Sequence, residues 1–93
     1  MELPKRIRFT VTEEDYYEYL RRATYQSFEK ASDCPAACAV SRKYAARSRV
    51  IYGLSYIDDV PYVNSGGLKK FVNDVDLDYM VDLPKTFIIT RKD

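Results

Sequence analysis

The chain has 93 residues and a mass of 10.9 kDa, the size of one small domain, residues 1–93, with a single core. Hydrophobic residues at 46% and charged residues at 31% match a globular protein and exclude a disordered tail. Fifteen basic against fourteen acidic side chains leave a net charge of +1, which excludes both a strongly basic nucleic-acid coat and an acidic mimic of nucleic acid as whole-molecule descriptions.

Residues Arg6 to Val11 alternate strictly, with Ile7, Phe9 and Val11 on one side and Arg6, Arg8 and Thr10 on the other. That period predicts a half-buried strand. Thr12 is placed to cap a helix, with Asp15 three residues on in the reciprocal position of a capping box and Glu13, Glu14 and Asp15 in the first turn. Tyr16, Leu20, Ala23 and Ser27 recur at helical spacing, so a helix is expected from about Glu13 to Glu29. Ser32-Asp33-Cys34-Pro35 starts a second helix, with Ser32 or Asp33 as cap and Pro35 in the first turn, where its missing N–H has no partner to lose. Its Ala, Cys and Val residues would let it approach its neighbours closely, and it is expected to end near Arg47.

From Arg49 to Asn64 the pattern predicts a hairpin turning at Asp58-Asp59. Val50, Tyr52, Leu54 and Tyr56 then share one side, and Ile51, Gly53, Ser55 and Ile57 the other. Pro61 makes the returning strand short, an edge, or irregular. After the break at Ser65-Gly66-Gly67, the spacing of Leu68, Phe71, Val72 and Val75 predicts a short amphipathic helix. Thr86 to Thr90 reads as a closing strand. The expected fold is α+β, a small and mostly antiparallel sheet with helices on one face, in the order β-α-α-β-β-α-β.

Missing residue types narrow the chemistry. The chain has no His and no Trp, and its three Gly build no phosphate-cradling loop. Cys34 and Cys38, four apart on one helix, read as small buried apolar residues in preference to an activated thiolate or half of a zinc site. Asp74-x-Asp76-x-Asp78 does not continue as a calcium loop, because Tyr79 and Lys85 stand where Gly and Glu are needed, so a solvated acidic edge is expected. No metal and no cofactor is expected, and the chain is read as a non-enzyme.

Charge is uneven along the chain. Cys34 to Ile57 carries no acid but includes Arg42, Lys43, Arg47 and Arg49, whereas Asn73 to Pro84 carries Asp74, Asp76, Asp78 and Asp82 with no base. The basic stretch, with tyrosines nearby, suits phosphates and bases. An acidic pole suits a basic partner surface, where complementary charge raises on-rate and specificity. Nine Tyr are many for so small a domain, and Tyr16, Tyr17, Tyr19 and Tyr25 fan too widely round one helix to face a single core. Exposed Tyr is typical of protein interfaces.

Phe9-Thr10-Val11-Thr12-x-x-Asp15 followed by Cys34-Pro35-x-Ala37-x-Ala39 resembles a group of small phage and prophage proteins whose starts read ITVTxxDI and continue CPVAxAL. The run from Arg49 to Ile57 and the Phe71 helix leading to Phe87-Ile88-Ile89 also look like theirs. Ala36 departs from the Val usual in that group, and the stretch between Asp15 and Cys34 is longer and richer in Tyr. The resemblance implies an origin in a mobile element and supplies no catalytic residue. It also implies a cytoplasmic protein of an infected or lysogenic host cell that binds and blocks a host protein or complex, such as a CRISPR effector in the manner of an anti-CRISPR. The partner-binding residues expected are Tyr16, Tyr17, Tyr19, Tyr25, Asp74, Asp76, Asp78 and Asp82. The alternative is a nucleic-acid-binding accessory protein using Arg42, Lys43, Arg47 and Arg49. No membrane contact is expected, since no apolar run nears the ~20 residues of a span and the N-terminus lacks a signal-peptide stretch. Self-association stays open.

Overall fold

In the computed structural model, which describes residues 3–77 and 79–92, the first strand forms where the alternation places it. β1 (Arg6–Val11) buries Ile7, Phe9 and Val11 and leaves Arg6, Arg8 and Thr10 exposed. There follow α1 (Glu13–Arg22), a single helical turn α2 (Lys30–Asp33), α3 (Pro35–Tyr44), the strands β2 (Ser48–Val50), β3 (Leu54–Ile57) and β4 (Val60–Asn64), α4 (Gly66–Asp76) and β5 (Lys85–Arg91). The strands form one antiparallel sheet in the order β1-β5-β4-β3-β2. The fold is α+β with helices on one face, in the order expected, refined by the turn α2 and by a split of the first hairpin strand.

The core is built around α3, in which every residue from Pro35 to Val40 is buried. Ala36, Ala37 and Ala39 bring its backbone close to the sheet, and it touches both β1 and β2, the two outermost strands. The sheet therefore curls around this helix. Phe87 of β5 lies between Phe9 of β1, with ring centroids 6.0 Å apart, and Phe71 of α4, 5.1 Å away. Leu68, Val72 and Val75 complete the apolar stripe of α4, whose first turn is capped by the Ser65 hydroxyl accepting from the Leu68 N–H at 3.3 Å.

Four expectations need correction. The first helix ends at Arg22, not Glu29: the Thr24 hydroxyl and N–H both donate to the Arg21 carbonyl, at 2.8 and 3.3 Å, and the Tyr25 N–H turns to Arg22 O at 3.0 Å, so the helical ladder stops there. Residues 23–29 then turn back and lay the Phe28 ring on Tyr19, centroids 6.0 Å apart. The cap of α3 is Cys34, whose Sγ accepts from the Ala37 N–H at 3.4 Å, rather than Ser32 or Asp33; α3 also stops at Tyr44, with Ala45 in the left-handed region at φ 50°. Finally, the run from Arg49 to Ile57 is two strands, β2 and β3, paired with each other. The buried Asn64 side chain donates to Ile51 O at 2.7 Å and Tyr52 O at 3.2 Å and so holds the chain bent at that point. The bend reverses the alternation, and Val50 shares the inner face with Ser55 and Ile57.

Pro61 lies in a short strand, but an internal one. Asp58 and Asp59, at φ 47° and 69°, make the tight turn of the β3–β4 hairpin. Pro61 is thereby a non-hydrogen-bonded partner of Tyr56, and its missing donor is directed at the far end of β5, where its carbonyl accepts from the Lys92 N–H at 2.9 Å. No helix among the described residues is long and apolar enough to cross a membrane.

The Thr12 cap forms as a full capping box and is extended by a third residue. The Asp15 carboxylate accepts from the Thr12 N–H at 2.8 Å, from the Thr12 hydroxyl at 3.0 Å, and from Arg42 Nε and Nη2 at 3.2 and 2.9 Å. Asp15 is only 4% exposed, so its charge depends on these donors. Asp15→Ala is expected to lower the unfolding free energy by about 1–3 kcal/mol, and Arg42→Ala by less because the guanidinium is half exposed. Urea denaturation of both variants checks this. Ala45→Gly relieves the left-handed helix end and is expected to raise stability by about 0.5–1 kcal/mol in the same assay.

Candidate protein-docking surface

The start of α1 and the irregular segment between α4 and β5 come together on the helical side of the sheet. Because Thr12 fixes where α1 begins, Tyr16 and Tyr17 fall on adjacent faces of its first turns. Tyr16 stacks on buried Tyr19, centroids 5.6 Å apart, while Tyr17 is 65% exposed. Facing them, Val81 and Leu83 are half-buried against the core, and Met80 between Tyr79 and Val81 is 100% exposed. Glu13, Tyr16, Tyr17, Met80, Val81 and Leu83 line a 260 Å³ groove there. Exposed Leu77 and Tyr79 continue the apolar character along the segment, and exposed Asp82 and Glu14 add negative charge beside Glu13. A flexible thioether next to a rigid phenol, rimmed by carboxylates, is a surface suited to a protein partner that is apolar at its centre and basic at its edge.

The other expected residues are dispersed. Tyr19 is 7% exposed and belongs to the core, so it is withdrawn from the exposed set. Tyr25 lies in the turn just beyond α1, hydrogen-bonded by Arg21 and covered by its guanidinium 5.3 Å from the ring centroid. Lys70 donates to Asp74 at 2.8 Å, and Lys30 pairs with Asp76 at 3.6 Å, so neither presents an unpaired charge. Asp82 is exposed; Asp78 lies outside the described residues. Sequence reasoning found Tyr16, Tyr17 and Asp82 but passed over Met80, Val81 and Leu83. The signal available was the run of large apolar side chains in a segment without strand or helix periodicity.

The four basic residues of the alternative reading are divided between two places. Arg42 holds Asp15 and donates to Thr10 O at 3.3 Å, and Lys43 donates to Arg8 O, both at the open edge of β1. Arg47 and Arg49 are exposed on a separate 580 Å³ cleft that also takes in Arg22 and Asp33, themselves paired at 3.1 Å, and Asp58. Asp58 accepts from the Arg47 N–H at 3.1 Å. These residues form no single phosphate-binding patch.

Both cysteines are buried and free. Burial pushes the Cys34 thiol up to about 12 and the Cys38 thiol up to about 11, which opposes thiolate formation despite the helix N-terminus at Cys34. Among the described residues no group of three or more His, Cys, Asp or Glu side chains is arranged to hold a metal ion. No protein-family model, curated protein or solved structure matches the chain.

A thiol whose folded pKa is raised stabilises the fold fully below its unfolded value and loses that contribution as pH rises through the folded one. Stability is therefore expected to decline from about pH 9 toward about pH 12, and Cys34→Ala should blunt the decline. Alkaline thermal melts check it. At pH 8, iodoacetamide should label the folded chain at least about a hundredfold more slowly than the chain in guanidinium, as read by mass spectrometry.

Proposed function

We propose that this chain is a non-enzymatic, phage-derived accessory protein that docks on a host protein or complex and blocks it, with a defence effector of the CRISPR type as its target. The observation that carries the reading is the exposed Tyr17–Met80 groove with its carboxylate rim, on a domain whose two thiols are buried and protonated. The resemblance in Phe9 to Asp15 and Cys34 to Ala39 to small phage proteins supports the origin. The acidic rim favours a target whose own surface is basic, as nucleic-acid-handling proteins are, and charge of that kind accelerates encounter more than it tightens the complex.

Expressed in a host with an active CRISPR defence, the chain is expected to restore plating of a targeted phage. Tyr17→Ala with Met80→Asp should abolish the restoration without shifting the thermal melt, since both side chains are exposed. Failure to restore plating against any effector type, together with no stoichiometric partner in pull-downs, would remove the inhibitor reading. Full activity of the double variant would remove the groove as its site.

A further inference from the structure

The face of the sheet turned away from the helices is uncovered, and its chemistry follows from the register. Opposite the helices, one row across the strands runs Arg49, Tyr56 and Pro61, and the next runs Leu54, Val63, Thr90 and Arg6. Ile88 sits beside Arg8, and the Thr10 and Thr86 hydroxyls bond each other at 2.9 Å. Arg6, Arg8 and Arg49 are exposed, as is Lys92, whose N–H bonds Pro61. Among the described residues none of these four cations makes an ion pair. No strand residue on this face is a carboxylate; among the described residues, Asp33, Asp58 and Asp59 border it where Arg49 and Tyr56 line their cleft, with Asp33 paired to Arg22 and Asp58 occupied by the Arg47 N–H.

We infer that this face is a single-stranded nucleic-acid platform, with Arg6 and Arg8 at one border and Arg49 at the other gripping phosphates while bases lie on Tyr56, Val63 and Ile88. Four strand spacings separate the borders along the sheet, ~19 Å, the length of a few nucleotides. Val63 and Ile88 are 43% and 37% exposed and Tyr56 is partly exposed, so the centre offers an apolar and aromatic floor between cations. A duplex hides its bases and cannot use such a floor; an unpaired strand can. A second copy of the chain is disfavoured, because two such faces would oppose like charges. The site is independent of the Tyr17–Met80 groove, which lies on the helical side, and of the four cations singled out in the basic stretch it uses only Arg49, together with the nearby Tyr56.

The test is fluorescence anisotropy of the intact chain with a labelled oligo(dT) dodecamer and its oligo(U) counterpart. With three or four phosphates neutralised, binding should weaken roughly 20–50-fold between about 50 and 200 mM salt. Arg6→Ala with Arg8→Ala should weaken binding and flatten the salt slope, and Arg49→Ala, on a different strand, should do the same. Tyr56→Leu should weaken binding about fivefold or more without changing the slope. Tyr17→Ala should leave binding unchanged. No binding at the lower salt overturns the inference, as does equal binding of a duplex of the same length or unchanged binding by the arginine variants. If polyglutamate displaces the oligonucleotide as well as unlabelled oligo(dT) does, the face is a site for acidic proteins and the inference also fails.

Discussion

The Asp15 carboxylate accepts from two donors of Thr12 and from two nitrogens of Arg42, and through it the first strand, the first helix and the central helix are fixed to one another. A carboxylate so nearly buried keeps its charge only where charged or polar donors replace its lost water. Thr12 follows directly on β1, Asp15 opens α1, and Arg42 belongs to the last turn of α3. The position of α1 over α3 follows, and with it which side of α1 is buried at Tyr19 and which side carries Tyr17 outward. The Tyr17–Met80 groove is thus set by a polar junction well inside the domain's own architecture, while the alanine face of α3 sets how tightly the sheet closes beneath it.

Much of this fold is legible in the amino-acid order. The period of two in Arg6 to Val11, the Thr12–Asp15 box and the 68, 71, 72, 75 spacing each have one cheap solution, and tertiary packing agrees with it. The misread stretches are those where local and long-range demands differ. Residues 23–29 contain no helix breaker as strong as Pro, yet Thr24 competes for a backbone carbonyl and Phe28 gains more by returning to Tyr19. The bend at 51–53 is held from a distance by Asn64, which alternation within the stretch could not reveal; Gly53 was the only local hint.

The candidate surfaces are legible only in part, and for a related reason. Charge counts say how many cations a segment carries, not what they face. Arg42 and Lys43 look available in the sequence, and the fold turns both on its own backbone and on Asp15. Asp74 and Asp76 look like a pole, and each meets a lysine. By contrast Arg6 and Arg8 pass as the polar half of an alternating strand and gain meaning only when β5, β4 and β3 line up beside them. Met80 and Val81 sit in a segment with no periodicity to interpret.

The Arg91 N–H reaches Lys5 O at 2.6 Å, so in β1 the carbonyls of Arg8 and Thr10 are directed away from β5, and they are the ones occupied by Lys43 and Arg42. The opposite margin, β2, is three residues long. A foreign extended segment therefore meets acceptors already taken along β1 and only a three-residue margin at β2, which makes both edges poorer templates for strand addition. Recognition is thereby directed toward the broad surfaces and their side-chain chemistry and away from lengthening the ladder.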